Sequence, residues 1–138
     1  ILKKGKIMKE KALFYFNNGY SCSESIIKAA IDEGLCDPIL LSCATSFSGG
    51  MSLGCVCGTV AAAQIISGFH FGRANINGNE VSAREKAAFI VEEFKKRNKV
   101  TCCKVLSGGL SGADRKQRCS KYVADVCEIL DEVLKVKV

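Results

Sequence analysis

The sequence has no tryptophan, one proline, one histidine and only 7% aromatic residues. With a single histidine, His70, any metal site must be built mostly from sulfur. No stretch approaches the ~18 uninterrupted apolar residues that a membrane span requires, which excludes an integral membrane helix. The N-terminal run Ile1-Leu2-Lys3-Lys4-Gly5-Lys6-Ile7-Met8 carries charge with no apolar region behind it, so it does not read as a secretory signal. Strand-like alternation and internal repeats are missing as well. Met8 reads as a natural start. Residues 1–7 are therefore a candidate expression leader, ahead of one helical domain over 8–138.

What the chain has in excess is cysteine, nine in 138 residues. Nine is odd, so complete internal pairing is impossible. In a cytoplasmic chain, the expected setting here, clustered cysteines point to metal or redox chemistry rather than a disulfide scaffold. Charge points elsewhere than nucleic acid. The net +6 includes Lys3, Lys4 and Lys6, which leaves +3 from Met8 onward. A scattered +3 does not call for a polyanion. The runs Lys95-Lys96-Arg97 and Arg115-Lys116-Gln117-Arg118 read as solvated helix faces or loops.

The pattern predicts one all-α bundle of about five helices and no sheet. A first helix covers 8–17, with Ala12, Leu13 and Phe16 apolar. Ser21-Cys22-Ser23-Glu24 fits a capping box for a helix running to about Glu33 and burying Ile26, Ile27, Ala29 and Ala30. Asp37-Pro38 opens a third, with Ile39, Leu40, Cys43, Ala44 and Phe47. A glycine-rich loop over 48–56 leads to an apolar central helix from Cys57 to Phe71. Ser82-Ala83-Arg84-Glu85 looks like a second capping box, for a helix burying Ala87, Ile90, Val91 and Phe94. Thr101 precedes a short turn at Cys102-Cys103, and Gly108, Gly109 and Gly112 break the chain. The last helix, from Cys119, carries a stripe through Tyr122, Val123, Val126, Cys127, Leu130, Val133 and Leu134.

Position divides the cysteines. Cys43 and Cys127 fall mid-helix on apolar stripes and read as small hydrophobes; Cys36, in a linker, stays unassigned. Cys22, Cys57, Cys103 and Cys119 each fall at or just before the first turn of a helix. Free amides and the positive end of the macrodipole favour thiolates there and lower their pKa. Thiolate is the form that ligates metal and attacks disulfides. Cys55 and Cys102 each stand beside a member of this set and are alternative ligands. Spacing alone does not show that the four meet: Cys55-Val56-Cys57 is C-x-C and Cys102-Cys103 is vicinal, so zinc-ribbon, thioredoxin, haem and ferredoxin spacings are all missing. The glycines of 49–54 lack the lysine and preceding strand of a P-loop, and read as a close backbone approach to a centre or helix. His70 reads as a polar end-cap.

These residues together resemble a known family, the redox-active proteins named for their motif C_GCAxxG_C_C. Tyr20-Ser21-Cys22-Ser23-Glu24-Ser25 is similar to the first cysteine segment, and Phe47-Ser48-Gly49-Gly50-Met51 to the glycine-rich approach. Val56-Cys57-Gly58-Thr59-Val60-Ala61 stands at the central motif, though its small residues are shifted from G-C-A-x-x-G. Cys103-Lys104-Val105-Leu106 and Cys119-Ser120-Lys121-Tyr122-Val123 resemble the third and fourth segments. The resemblance implies a helical protein with cysteine redox chemistry. Related domains attached to c-type haem modules are associated with an iron–sulfur centre; this chain has no C-x-x-C-H for haem.

The leading expectation is an electron carrier or redox sensor with a [2Fe–2S] cluster held by Cys22, Cys57, Cys103 and Cys119, served by a redox partner protein and compatible with a homodimer. A second is a thiol–disulfide oxidoreductase with a low-pKa Cys57, resolved by Cys55 or Cys22. A third is a helical module stapled by zinc. Neither nucleic acid nor membrane enters any of the three.

Overall fold

The structure is a computed structural model that describes residues 4–135, with side chains from residue 7 onward. Residues 1–3 of the candidate leader, and 136–138 of the expected domain, lie outside the described residues. Seven helices follow in order: α1 (Lys4–Asn17), α2 (Cys22–Asp32), α3 (Leu40–Thr45), α4 (Gly58–Phe71), α5 (Val81–Asn98), α6 (Cys103–Ser107) and α7 (Gly112–Leu134). Five are long, as the periodicity predicts. The short α3 and α6 raise the total from about five to seven. Among the described residues there is no sheet, only one isolated antiparallel bridge between Val56 and Cys102. None of the described helices is long and apolar enough to cross a membrane.

Each helix boundary follows from local chemistry. At the start of α2 the capping box forms in full: the Glu24 amide donates to Ser21 Oγ at 3.3 Å, and the Ser21 amide donates to Glu24 Oε1 at 3.0 Å. The second expected box does not form. α5 starts one residue earlier, where Asn79 Oδ1 accepts from the Val81 amide at 2.8 Å, leaving Ser82 inside the helix. The largest departure is α7, which begins at Gly112 rather than Cys119. Residues 112–118 carry no aliphatic stripe, so periodicity gives no sign of these two turns.

α7 packs along α1, α4 and α5, and α2 packs on α1 and α4. The centre holds Met8, Ile26, Ile27, Ile66, Ile90 and Phe94, all fully buried. Salt bridges between Lys9 and Glu128 and between Arg97 and Glu128 tie α1 and α5 to the C-terminal part of α7. At the other end, Lys116 Nζ donates to the carbonyls of Phe16 and Tyr20. The two links make α1 and α7 antiparallel and leave the N-terminal turns of α7 beside the start of α2.

Two expected core positions turn outward. Ile39 and Cys43 are exposed, because α3 has only six residues and buries Ala44 alone. Cys127 is fully buried and Cys36 nearly so. Ile66→Ala removes a fully buried side chain from the α4 interface and is expected to cost about 2–5 kcal/mol of stability, read as a lower urea midpoint at unchanged slope.

Candidate redox centre

Four separate pieces of chain bring their cysteines to one cleft. Cys22 is the first residue of α2, Cys57 caps α4, and Cys103 opens α6. Cys119 lies in the second turn of α7 rather than at its start, since that helix begins earlier than expected. All four line a single cleft of about 930 Å3. Neither Cys55 nor Cys102 is part of that lining: Cys55 is exposed, and Cys102 directs its Sγ to the Gly54 carbonyl at 3.4 Å.

Two glycines make the approach sterically available. A Cβ on Gly58 would stand 2.6 Å from Cys22 Sγ and 2.9 Å from the Phe47 carbonyl. A Cβ on Gly50 would stand 2.6 Å from that of Cys103. Gly50 belongs to an unusual turn. Residues 49–52 are all left-handed, with φ of 61°, 64°, 59° and 62°. Met51 and Ser52 have no glycine freedom, and each costs about 1–2 kcal/mol in that conformation. The strain sits at the cleft wall, where such outliers tend to gather. Val56 and Cys102 pair across from the turn, and the Cys103 amide donates to the Cys55 carbonyl.

Polar partners surround the sulfurs. Cys22 receives hydrogen bonds from the Gly49 and Ser23 amides, and Cys57 from those of Thr59 and Val60. Thr59 Oγ1 lies 3.0 Å from Cys57 Sγ. Arg115 Nη2 donates to Cys103 Sγ at 3.4 Å, and its side chain also bonds Cys119. Among the described residues Arg115 makes no salt bridge with a carboxylate.

The first half of the basic run, Arg115 and Lys116, is therefore cleft wall, while Gln117 and Arg118 are exposed, as the composition suggests. Besides Arg115, Lys116 is half-buried over the Phe16 ring, and Arg118 Nε donates to the Leu106 carbonyl at 2.6 Å. The Tyr122 hydroxyl donates to that same carbonyl at 2.8 Å. Arg115 and Cys119 are four apart, which on a helix means one face. That signal is present in the sequence, but only once α7 is known to extend back to Gly112.

The surrounding amides do not keep Cys22, Cys57 and Cys119 ionised. Burial pushes the Cys57 thiol up to about 11, against the opposing Thr59 and Val60 hydrogen bonds. Burial raises Cys22 and Cys119 as well, over the opposing effects of local amides and Arg115. Desolvation outweighs the helix amides because thiolate charge is penalised across the whole buried site, whereas each amide offers one hydrogen bond. The lowered pKa expected from the helix starts is corrected to a raised one.

The four thiols share a cleft without crowding one point. Among the described residues no three Cys, His, Asp or Glu side chains are grouped to hold a single metal ion. His70 stands apart, its ring bonded to the Leu35 carbonyl at the end of α4.

The model of one protein family, described as "Putative redox-active protein (C_GCAxxG_C_C)", matches residues 20–133. The chain belongs to this family. No curated protein and no solved structure matches it significantly. The C_GCAxxG_C_C match takes in all four cleft cysteines, the left-handed turn and the basic run. It leaves out all of α1, which lends Phe16 to the cleft wall.

Two cysteines outside the cleft make the cost of burial measurable. Burial pushes Cys36 up to about 11 and Cys127 up to about 12. In the unfolded chain a thiol ionises near pH ~8.5, so above that pH the unfolded state releases protons first. The stability these groups contribute is complete below pH ~8.5 and is lost as pH rises toward their folded values. The denaturant midpoint of the reduced, metal-free protein is expected to fall between about pH 8.5 and 11, and to fall less steeply in Cys127→Ala.

Proposed function

We infer that the protein is a one-electron carrier or redox sensor whose centre is a [2Fe–2S] cluster on Cys22, Cys57, Cys103 and Cys119. The observation that carries this reading is the single cleft lined by all four sulfurs. Each iron of such a cluster takes two thiolates, so the donor set fits without three side chains meeting at one ion. When bound, the cluster supplies reversible one-electron chemistry.

The chain's own residues do the rest. The four thiols give up their protons to become ligands. The amides around Cys22 and Cys57 donate to ligand sulfur, which favours the more negative, reduced state and raises the potential. The Arg115 guanidinium adds a positive charge on Cys103 and Cys119 with the same sign of effect. Gly50 and Gly58 leave room for these approaches. The protein works in the reducing cytoplasm, where free thiols persist.

Two other readings have less support. A thiol–disulfide enzyme needs a thiolate near neutral pH, and burial drives Cys22 and Cys57 the other way. A zinc staple needs three or four ligands on one ion, a grouping the described residues do not offer.

Anaerobic purification should yield coloured protein with iron and acid-labile sulfide in equal amounts. Serine at 22, 57, 103 or 119 should abolish or sharply reduce iron content, whereas Cys55→Ser and Cys102→Ser retain it. Colourless, iron-free protein after anaerobic reconstitution overturns the reading. Arg115→Leu should keep its iron and show a more negative midpoint potential in a redox titration followed by visible absorbance.

A further inference from the structure

Beside the cleft lies a face with two unusual properties, exposed aliphatic side chains and uncompensated positive charge. Leu53 is 84% exposed, Val105 60% and Met51 46%, and Val56 and Leu110 are also exposed. These five come from only two segments, 51–56 and 105–110. The Val56–Cys102 bridge and the Cys103 amide bond to Cys55 hold the segments together, and a Cβ on Gly54 would stand 3.0 Å from that of Lys104. Leu53 and Leu110 line the cleft itself, so this face is continuous with its mouth. The other large exposed apolar side chains among the described residues, Phe14, Ile39, Phe69, Ile76 and Val81, come from four separate stretches of chain.

The charge is equally local. Residues 48–58 carry none, and residues 101–119 carry Lys104, Arg115, Lys116 and Arg118 against Asp114, a net +3. Among the described residues not one of these five side chains makes a salt bridge. The ion pairs tying α1 and α5 to α7 lie toward the opposite end, around Glu128 and Asp125. The described chain ends, Lys4 and Lys135, are at that opposite end too, because α1 and α7 run antiparallel. Neither folds back over the apolar face.

We propose that this face, with Leu53 and Val105 at its centre and Lys104 on its rim, docks an acidic electron-transfer protein over the cleft. The argument for the occupant is charge complementarity. In the metal-free protein a second copy of this chain would bring +3 against +3 across a two-fold axis, whereas an acidic surface gains from the same field and is steered by it. An oxidised [2Fe–2S] centre with its four thiolates, about −2, would weaken this field without reversing it. The apolar centre supplies contact area that water would otherwise cover. Docking here covers the mouth of the cysteine-lined cleft, and one electron then passes between the partner's centre and this one, oxidising one and reducing the other with no atom transferred. The electron transfer rests on the cluster reading; the docking does not.

The probes are two acidic redox proteins, a plant-type ferredoxin and a flavodoxin, with basic cytochrome c as the opposite-charge control. Each is titrated into the isotope-labelled full chain and followed by amide chemical shifts, with iron and sulfide assayed on the same sample. Shifts confined to residues 51–56 and 104–110, and affinity falling about tenfold or more between low and ~0.3 M salt, support the proposal. Lys104→Glu and Val105→Asp, both exposed positions, should each weaken binding about fivefold or more without lowering the melting temperature. Lys96→Glu, on α5, should not weaken it. Shifts elsewhere, salt-independent binding, equal binding of cytochrome c, or no binding of either acidic probe to iron-loaded protein overturns it. So does a dimer in sedimentation that Val105→Asp dissociates, since a second copy then covers the face. Iron-free protein that still binds the acidic probes here defeats the cluster and leaves the docking face standing.

Discussion

The first residue of α4 has no side chain, and the cleft depends on that. Gly58 stands so near Cys22 that one added methyl group would collide with its sulfur and with the Phe47 carbonyl. Helices α2 and α4 therefore meet with their cysteine-bearing starts side by side, Cys57 held close enough to Cys22 to feel its charge. Gly50 repeats the device on the opposite wall, against Cys103. Interiors pack without spare volume, so a site assembled from four separated segments needs positions where backbone itself is the contact surface. The left-handed turn over residues 49–52 has the same origin: the chain accepts strain at Met51 and Ser52 to carry Gly49 and Gly50 past two cysteines.

A cleft built this way opposes two electrostatic effects. Amides at the starts of α2 and α4 stabilise negative sulfur, and so does Arg115 from α7. Burial opposes them and prevails in the metal-free protein, leaving the Cys57 thiol near 11. Cys22, Cys57 and Cys119 stay neutral there until something positive arrives to replace their protons. Metal ions do that by forming bonds to sulfur, which pKa perturbation by a few hydrogen bonds does not match. The same arrangement that makes these cysteines poor nucleophiles makes them sheltered ligands, and Arg115 is the fixed charge that moderates the excess negative charge of four thiolates.

Much of the scaffold was legible from local signals. The capping box at Ser21 and Glu24, the buried face of α2, the apolar α4 and the stripe of α7 from Tyr122 to Val133 all follow from periodicity and caps. The second capping box failed because Asn79, just upstream, captured the Val81 amide first. Cys43 turned outward because a helix of six residues has too little length to bury a stripe. The start of α7 was missed for a more instructive reason. Its first two turns face the cleft, so their inward side is Arg115, Lys116 and Cys119 instead of leucine or valine. Apolar periodicity is blind to a helix whose buried face is the functional site.

The sequence by itself determined the helical class, the family, and that Cys22, Cys57 and Cys103 begin or precede helices, since these depend on residue type and short-range order; Cys119, expected at a helix start, lies in the second turn of α7 instead. It could not decide that Cys22, Cys57, Cys103 and Cys119 share one space while Cys55 and Cys102 stand outside it. Neighbours in the chain were separated, and strangers joined, by how α2, α4, α6 and α7 pack around two glycines. The thiols' ionisation was equally out of reach, because helix position fixes only the favourable amides. The opposing penalty is a property of the whole enclosure, and it exists only once the helices have closed around the sulfur.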